Sequence, residues 1–214
     1  MIRVVLCDDH ALVRQGVRAV LCADGRCEIV GETSEGLRVA DLVERSAPDV
    51  LLLDVMLPGL NGIEVCRQIM RRSPGTRILM LSTHANEAYV LESLRAGALG
   101  YVLKDAAVSE LLRAVQSVAA GLRYLSPPFS DRAVQAYANQ AAPPADAYTS
   151  LTEREREVLQ LAAEGHTNPD IGKRLHISPR TVEIHRANVL KKLDIEPGDL
   201  VRYAFRRGII APDG

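Results

Sequence analysis

The chain has 214 residues, a formal net charge of -1, 47% hydrophobic and 25% charged residues. That length allows two domains of ordinary size, and that composition excludes a disordered or fibrous chain. No apolar run approaches the roughly 20 residues of a membrane helix, and no basic-then-apolar leader precedes the first strand-like segment, so the expectation is a cytoplasmic protein with no membrane partner. The four cysteines (Cys7, Cys22, Cys27, Cys66) show no C-x-x-C spacing and are expected as buried reduced thiols, not as a zinc site.

From residue 1 to 125 short apolar strands alternate with amphipathic helices. Strands are predicted at 3–7, 27–33, 50–54, 77–82 and 100–103, and helices at 12–23, 36–46, 62–72, 87–96 and 107–120. Five β-α units at this spacing imply a parallel sheet covered on both faces, and right-handed crossovers favour a doubly wound five-stranded α/β fold with a crevice at its switch point. Gly59, Asn61 and Gly62 suit a turn after the third strand.

Residues 126–148 change character, with Pro127-Pro128 and Pro143-Pro144 flanking an alanine-rich stretch. Two such pairs cannot sit inside one helix, and an interdomain linker is predicted there. From 149 to 214 the pattern is a small all-α, four-helix domain. Thr152 and Glu155 are placed for a capping box, and Gly165 for a C-terminal stop. Thr167 starts a helix over 168–175, Ser178-Pro179 starts one over 179–193, and a fourth runs over about 198–207.

The ends of the predicted strands carry the chemistry. The first supplies Asp8 and Asp9, the third Asp54, the fourth Ser82 and the fifth Lys104. Open α/β sheets place ligands at the carboxyl ends of their strands. Converging carboxylates suit Mg²⁺, a hard cation that prefers oxygen ligands. A carboxylate oxygen of Asp54 can act as nucleophile toward a phosphoryl donor, an ammonium can neutralise the transferring group, and the Ser82 hydroxyl can sense the new oxygens. His10 reads as a loop residue.

These residues carry a resemblance. The segments Val5-Leu6-Cys7-Asp8-Asp9-His10, Leu53-Asp54-Val55-Met56-Leu57-Pro58-Gly59, Leu81-Ser82-Thr83 and Gly97 through Lys104-Asp105 resemble the receiver domain of two-component response regulators. The resemblance implies a flavodoxin-like fold, with strand order 2-1-3-4-5, in which Asp54 accepts a phosphoryl group from a sensor histidine kinase. It implies Mg²⁺ held by Asp9, Asp54 and the backbone carbonyl of Met56, with Asp8 acting through water. Lys104 would pair with the phosphoryl group, Ser82 would move toward it, and Tyr101 would change rotamer. Asp105 departs from the proline that many receivers carry after the lysine. Met56 and His84, two positions after Asp54 and Ser82, are expected to govern water access to the phosphorylated carboxylate.

In the C-terminal segment, residues 173–192 hold six Lys/Arg against one acid, Glu183, a local basic stripe suited to phosphate backbones. Helices over 168–175 and 179–193 around His176-Ile177 form a helix-turn-helix pattern. Val182, Val189 and Leu193 fall on one face of the second helix and should pack inward. The opposite face presents Arg180, Glu183, Ile184, Ala187, Asn188 and Lys191, with His185 and Lys192 to one side; Thr181 and Arg186 complete the expected DNA-contacting set. Such a helix can enter a major groove, with Arg180 suited to guanine, Asn188 to adenine, Glu183 to cytosine and Ile184 to a thymine methyl. From spacing alone a protein-binding four-helix module is as good a reading.

Leu151-Thr152-Glu153-Arg154-Glu155, Gly165 and the run from Ile177 to Leu193 resemble the LuxR-type DNA-binding domain, and the whole chain resembles the NarL/FixJ family. This implies a transcriptional response regulator that binds double-stranded promoter DNA, acts with RNA polymerase and forms a homodimer when phosphorylated. Phosphorylation would reshape the surface of the fourth helix and fifth strand, releasing the DNA-binding domain or building the dimer. It implies no enzyme activity beyond the receiver's own phosphoryl transfer and autodephosphorylation. Pro169-Asp170 and Glu183 depart from residue types common in that domain, so no operator can be carried over. Two rivals are a DNA-binding regulator whose receiver is independent of phosphorylation and, more remote, a Mg²⁺-dependent phosphohydrolase working through an aspartyl phosphate. The second lacks the acid such hydrolases carry two residues past the nucleophile, where Met56 stands.

Overall fold

The structure is a computed structural model that describes residues 1–127, 129 and 147–210. The described residues form two compact units, one N-terminal and one C-terminal. No helix among them is long and apolar enough to cross a membrane.

The N-terminal unit runs β1 (Ile2–Cys7), α1 (Ala11–Ala23), β2 (Cys27–Thr33), a 3₁₀ turn (Gly36–Arg38) into α2 (Val39–Ser46), and β3 (Val50–Asp54). It continues with α3 (Gly62–Arg72), β4 (Arg77–Ser82), α4 (Glu87–Ala96), β5 (Gly100–Leu103), α5 (Val108–Ala119) and β6 (Tyr124–Leu125). All pairings are parallel, in the order β2-β1-β3-β4-β5-β6. The expected five-stranded order is present. The sixth strand is an addition: Tyr124 N–H bonds the Leu99 carbonyl at 3.1 Å and Ser126 N–H the Tyr101 carbonyl at 2.9 Å. Two residues are too few to display an alternating pattern, which is why periodicity did not reveal it.

β3 is buried along its whole length, as its unbroken aliphatic run requires in a sheet covered on both faces. The strand order reverses direction between β1 and β3, so their carboxyl ends flank the crevice of the sheet. Behind that rim Val4, Leu6, Leu52, Leu79, Leu81 and Val102 pack against Leu111, Val115 and Val118 of α5. Gly62 opens α3 at a close approach: a Cβ there would lie 1.9 Å from the carbonyl oxygen of Asp54. Three cysteines are buried, but Cys22 is exposed. Its neighbour Leu21 takes the inward position on the last turn of α1, and one step along a helix turns the next side chain away.

The C-terminal unit is helical: a 3₁₀ turn (Ala147–Ser150), α6 (Glu153–Ala163), α7 (Asn168–Leu175), α8 (Pro179–Leu193), a 3₁₀ turn (Pro197–Asp199) and α9 (Leu200–Arg206). Thr152 and Glu155 form the reciprocal capping box at the start of α6, and Gly165 takes φ +85° after its end. Thr167 and Ser178 cap α7 and α8, each with proline in the first turn. Between those helices His176 sits in the left-handed region at φ 55°. A Cβ on Gly172 would meet the Ile177 carbonyl at 2.7 Å, so the tight helix-turn-helix corner depends on that glycine.

The expected linker at 126–148 lies largely outside the described residues. At its described start the chain still packs on the N-terminal unit: Ser126 is buried, and the Phe129 ring meets Tyr101 edge-on at 5.8 Å.

Candidate functional site

Asp54 is the last residue of β3, and Asp8 and Asp9 directly follow β1, so adjacent strands deliver these acids to one rim. Lys104 follows β5 and reaches across: its Nζ lies 2.6 Å from Asp54 Oδ2 and 2.7 Å from Asp8 Oδ2. Asp8 is fully buried, Asp54 is 2% exposed, and the Lys104 side chain keeps only 8% of its surface. Met56 N–H donates to Asp54 Oδ1 at 3.2 Å. Asp9 is more open, its carboxylate 2.6 Å from His10 Nδ1. His10 is a loop residue as expected, exposed ahead of α1 and leaning on Asp9, and Asp8 Oδ1 accepts its backbone N–H at 2.8 Å.

Burial pushes the Asp54 carboxyl up to about 6, against the lowering effect of Lys104 and with Asp8 adding repulsion. Burial would pull Lys104 down, but its bonds to Asp54 and Asp8 outweigh that and hold it above the usual amine value. The pair is therefore a cation serving two buried anions. Lys104 bonds Asp8 and Asp54 but not Asp9, so three carboxylates share one ammonium, and the rise of Asp54 reflects its burial first and the Asp8 charge after it. Ligand atoms of Asp8, Asp9, His10 and Asp54 lie within 4.8 Å of one another. An oxygen-rich set with surplus negative charge fits a hard divalent cation.

Ser82, at the end of β4, is buried, and its Oγ accepts the backbone N–H of His84 at 3.0 Å. Tyr101 is fully buried in β5, and its hydroxyl donates to the His84 carbonyl at 2.8 Å. Burial raises the Tyr101 phenol, with the Ser82 hydroxyl acting in the opposite direction. The His84 ring stacks on Tyr89 of α4 with centroids 4.7 Å apart. One residue, His84, thus links the β4 hydroxyl, the β5 aromatic and the first turn of α4. Asp54, Asp8, Asp9, Lys104 and Ser82 gather at a single rim, while Tyr101 touches it through residue 84.

Arg14 is a member that sequence reasoning passed over. Its Nη1 donates to the carbonyls of Asp8 at 2.6 Å and Asp9 at 3.2 Å. The available signal was an arginine one turn into the helix that follows the acidic pair.

In the C-terminal unit α8 buries Val182, Val189 and Leu193 and exposes the opposite face. Glu183, Ile184, Ala187, Asn188 and Lys191 are exposed there, with Ile184 keeping 51% of its surface. An aliphatic side chain that open has no part in the unit's core. Arg180 extends over the same face with Nη1 2.7 Å from Glu183 Oε2. Thr181 is half-buried, its hydroxyl 2.8 Å from that of the cap residue Ser178.

Other members of the expected set are drawn inward. His185 is half-buried, and Arg186 donates to Asn168 Oδ1 of α7 at 2.9 Å. Lys192 binds buried Glu155 Oε2 at 2.6 Å and the Ser150 carbonyl at 3.3 Å. Burial pushes the Glu155 carboxyl up, but the bonds from Lys192 and Thr152 outweigh it and leave it below the usual range. Lys192 is thus engaged in holding the end of α8 to the start of α6.

The chain matches the family model described as response regulator receiver domain over residues 4–116, and that described as bacterial regulatory proteins, luxR family, over residues 149–199. It is 35% identical over 208 residues to the transcriptional regulatory protein DegU of Brevibacillus brevis, covering 91% of this chain and 88% of that one. It is 39% identical over 196 residues to the DNA-binding transcriptional activator DevR/DosR of Mycobacterium tuberculosis, covering 92% and 90%. It is similar in structure to RcsB, solved as two dimers bound to two parallel DNAs, with TM-score 0.57 and 26% identity over 94% of this chain and 96% of that one.

Proposed function

We propose that Asp54 is the phosphoacceptor of this chain, which belongs to the NarL/FixJ family of two-component response regulators. The chain is a DNA-binding transcription regulator, and its receiver is the input to that activity. One observation supports the choice of acceptor above the rest: Lys104 spans buried Asp54 and Asp8 at 2.6 and 2.7 Å.

Asp9, Asp54 and the Met56 carbonyl are the groups that would hold Mg²⁺, with Asp8 acting through water. Bound there, Mg²⁺ would offset charge on the phosphoryl oxygens during transfer. An Asp54 oxygen attacks phosphorus in line. The P–N bond to the kinase histidine breaks, its electron pair stays on the imidazole, and Asp54 ends as an acyl phosphate. Lys104, already on an Asp54 oxygen, turns its ammonium to a phosphoryl oxygen. The Ser82 hydroxyl, which accepts the His84 N–H, donates its own O–H to a second phosphoryl oxygen, Tyr101 follows by a rotamer change, and the surface of α4 and β5 is reshaped.

The output reading follows from the exposed face of α8. Arg180, Glu183, Ile184 and Asn188 read base edges, while Lys191 and the basic flanks hold phosphates. RcsB binds DNA as dimers, and by that likeness the phosphorylated chain pairs on promoter DNA with half-sites about one helical turn apart. Residues 126–148 serve as the linker between the receiver (1–125) and the DNA-binding domain (149–214), and RNA polymerase is the partner at the promoter, all within the cytoplasm.

Footprinting on genomic fragments tests the reading. Acetyl phosphate with Mg²⁺ should enhance protection by wild-type protein and do nothing for Asp54→Asn. Equal enhancement in the variant would move the acceptor elsewhere, and no enhancement in either protein would favour a receiver independent of phosphorylation.

A further inference from the structure

The loop carrying Asp8 and Asp9 must hold two acids in place between β1 and α1. Asp8 is anchored by its own N–H on the Thr33 carbonyl at 3.2 Å and by its Oδ1, which accepts the His10 N–H. The residue that caps α1, His10, makes no side-chain capping bond. The link back from the helix comes from Arg14. Helical side chains lean toward the helix N-terminus, so an arginine one turn into α1 reaches the loop behind it. Its Nη1, carrying two N–H groups, donates to the carbonyls of both Asp8 and Asp9.

We propose that Arg14 is a positioning residue for divalent-cation binding: by gripping the carbonyls of Asp8 and Asp9 it holds their carboxylates in convergence with that of Asp54. This inference rests on the reading of the acidic rim as a Mg²⁺ site. Two effects of Arg14 on a cation oppose each other. Its geometry orders two ligand-bearing residues, which strengthens binding. Its positive charge near the rim repels the ion, which weakens binding. The sign of the change on removing Arg14 therefore tells which effect governs.

Mg²⁺ titration calorimetry on the full chain, at fixed ionic strength, should compare wild type, R14A and R14K. Melting of each protein is followed without Mg²⁺ to register fold stability separately. Lysine keeps the charge, but its side chain is one bond shorter, so its ammonium does not reach the place that Nη1 holds between the two carbonyls. If positioning governs, both variants bind Mg²⁺ roughly ten-fold more weakly, the size typical for groups that orient metal ligands, while metal-free melting stays near that of wild type. If R14A binds as tightly as wild type or more tightly, or R14K matches wild type, the inference is overturned. A loss of metal-free melting that accounts for the weaker binding also overturns it, since Arg14 would then only hold the fold. Should R14A fail to fold, R14K decides alone. Absence of Mg²⁺ binding in wild type would bring down the Mg²⁺ reading itself, whereas binding undiminished in both variants would bring down only the role of Arg14.

Discussion

Replacing Asp54 by asparagine should stabilise the metal-free receiver at neutral pH. Asp54 is buried beside Asp8, and its carboxyl rises from 3.8 to about 6, chiefly through burial. That displacement corresponds to about 3 kcal/mol against the ionised form. The folded state binds this proton more tightly than the unfolded chain does. Its contribution to stability is therefore fully present below 3.8 and lost as pH rises through about 6. Asparagine removes the charge that is disfavoured at pH 7, but it also weakens the bond to Lys104, so a net gain of about 1–3 kcal/mol is expected. For a unit of this size that is a rise in melting temperature of about 4–12 °C. Thermal and urea unfolding from pH 4 to pH 8 in chelator will measure it. The two proteins should converge toward acid pH, the gap opening as pH rises from 3.8 and being fully open above about 6. Added Mg²⁺ should narrow the gap, because a bound cation stabilises the wild-type site. A variant less stable than wild type at pH 7 and level with it at pH 4 would refute the argument that burial disfavours the Asp54 charge at this rim.

Gly62→Ala should destabilise the receiver by about 1–3 kcal/mol and slow labelling of Asp54 by acetyl phosphate, because the new Cβ must displace the Asp54 carbonyl; melting and phosphoryl incorporation report both effects. Lys192→Met should destabilise the C-terminal unit by about 1–2 kcal/mol, less than a fully buried pair because the lysine side chain keeps 35% of its surface. Glu155 lies below its ordinary 4.5, so its contribution is present above that pH and lost as pH falls through the lowered value; acid unfolding of Lys192→Met should lack this component. Asn188→Ala should relax base preference at one operator position by about 1–3 kcal/mol, whereas Lys191→Ala should weaken all sequences alike and reduce the salt slope by about 1, as binding isotherms at several salt concentrations will show. Met56→Asn and His84→Glu should alter autodephosphorylation more than labelling by acetyl phosphate, and decay rates equal to that of wild type would remove both residues from control of water access.

The sheet was legible because each central strand is an aliphatic run that ends in a chemically distinctive residue. Val50 to Asp54 shows both features within five positions. What escaped were features without periodicity. Tyr124–Leu125 is too short for a pattern, and Gly36–Arg38 forms a 3₁₀ turn where continuous helix was expected. The acids, hydroxyl and amine could be found one by one at strand ends, but Arg14 acts through backbone carbonyls, which have no letter in the sequence. On α8 the heptad-like spacing of Val182, Val189 and Leu193 identified the buried face. It could not tell that Lys192 turns to Glu155, since that partner lies 37 positions earlier.

The short β6 pairing has a mechanical consequence. Ser126 hands its N–H to the Tyr101 carbonyl, and its hydroxyl accepts the Leu103 N–H at 3.3 Å. The chain at Ser126 is therefore stitched to the strand that bears Tyr101 and leads into Lys104. Any displacement of that strand is felt first at Ser126, where the described chain leaves the sheet.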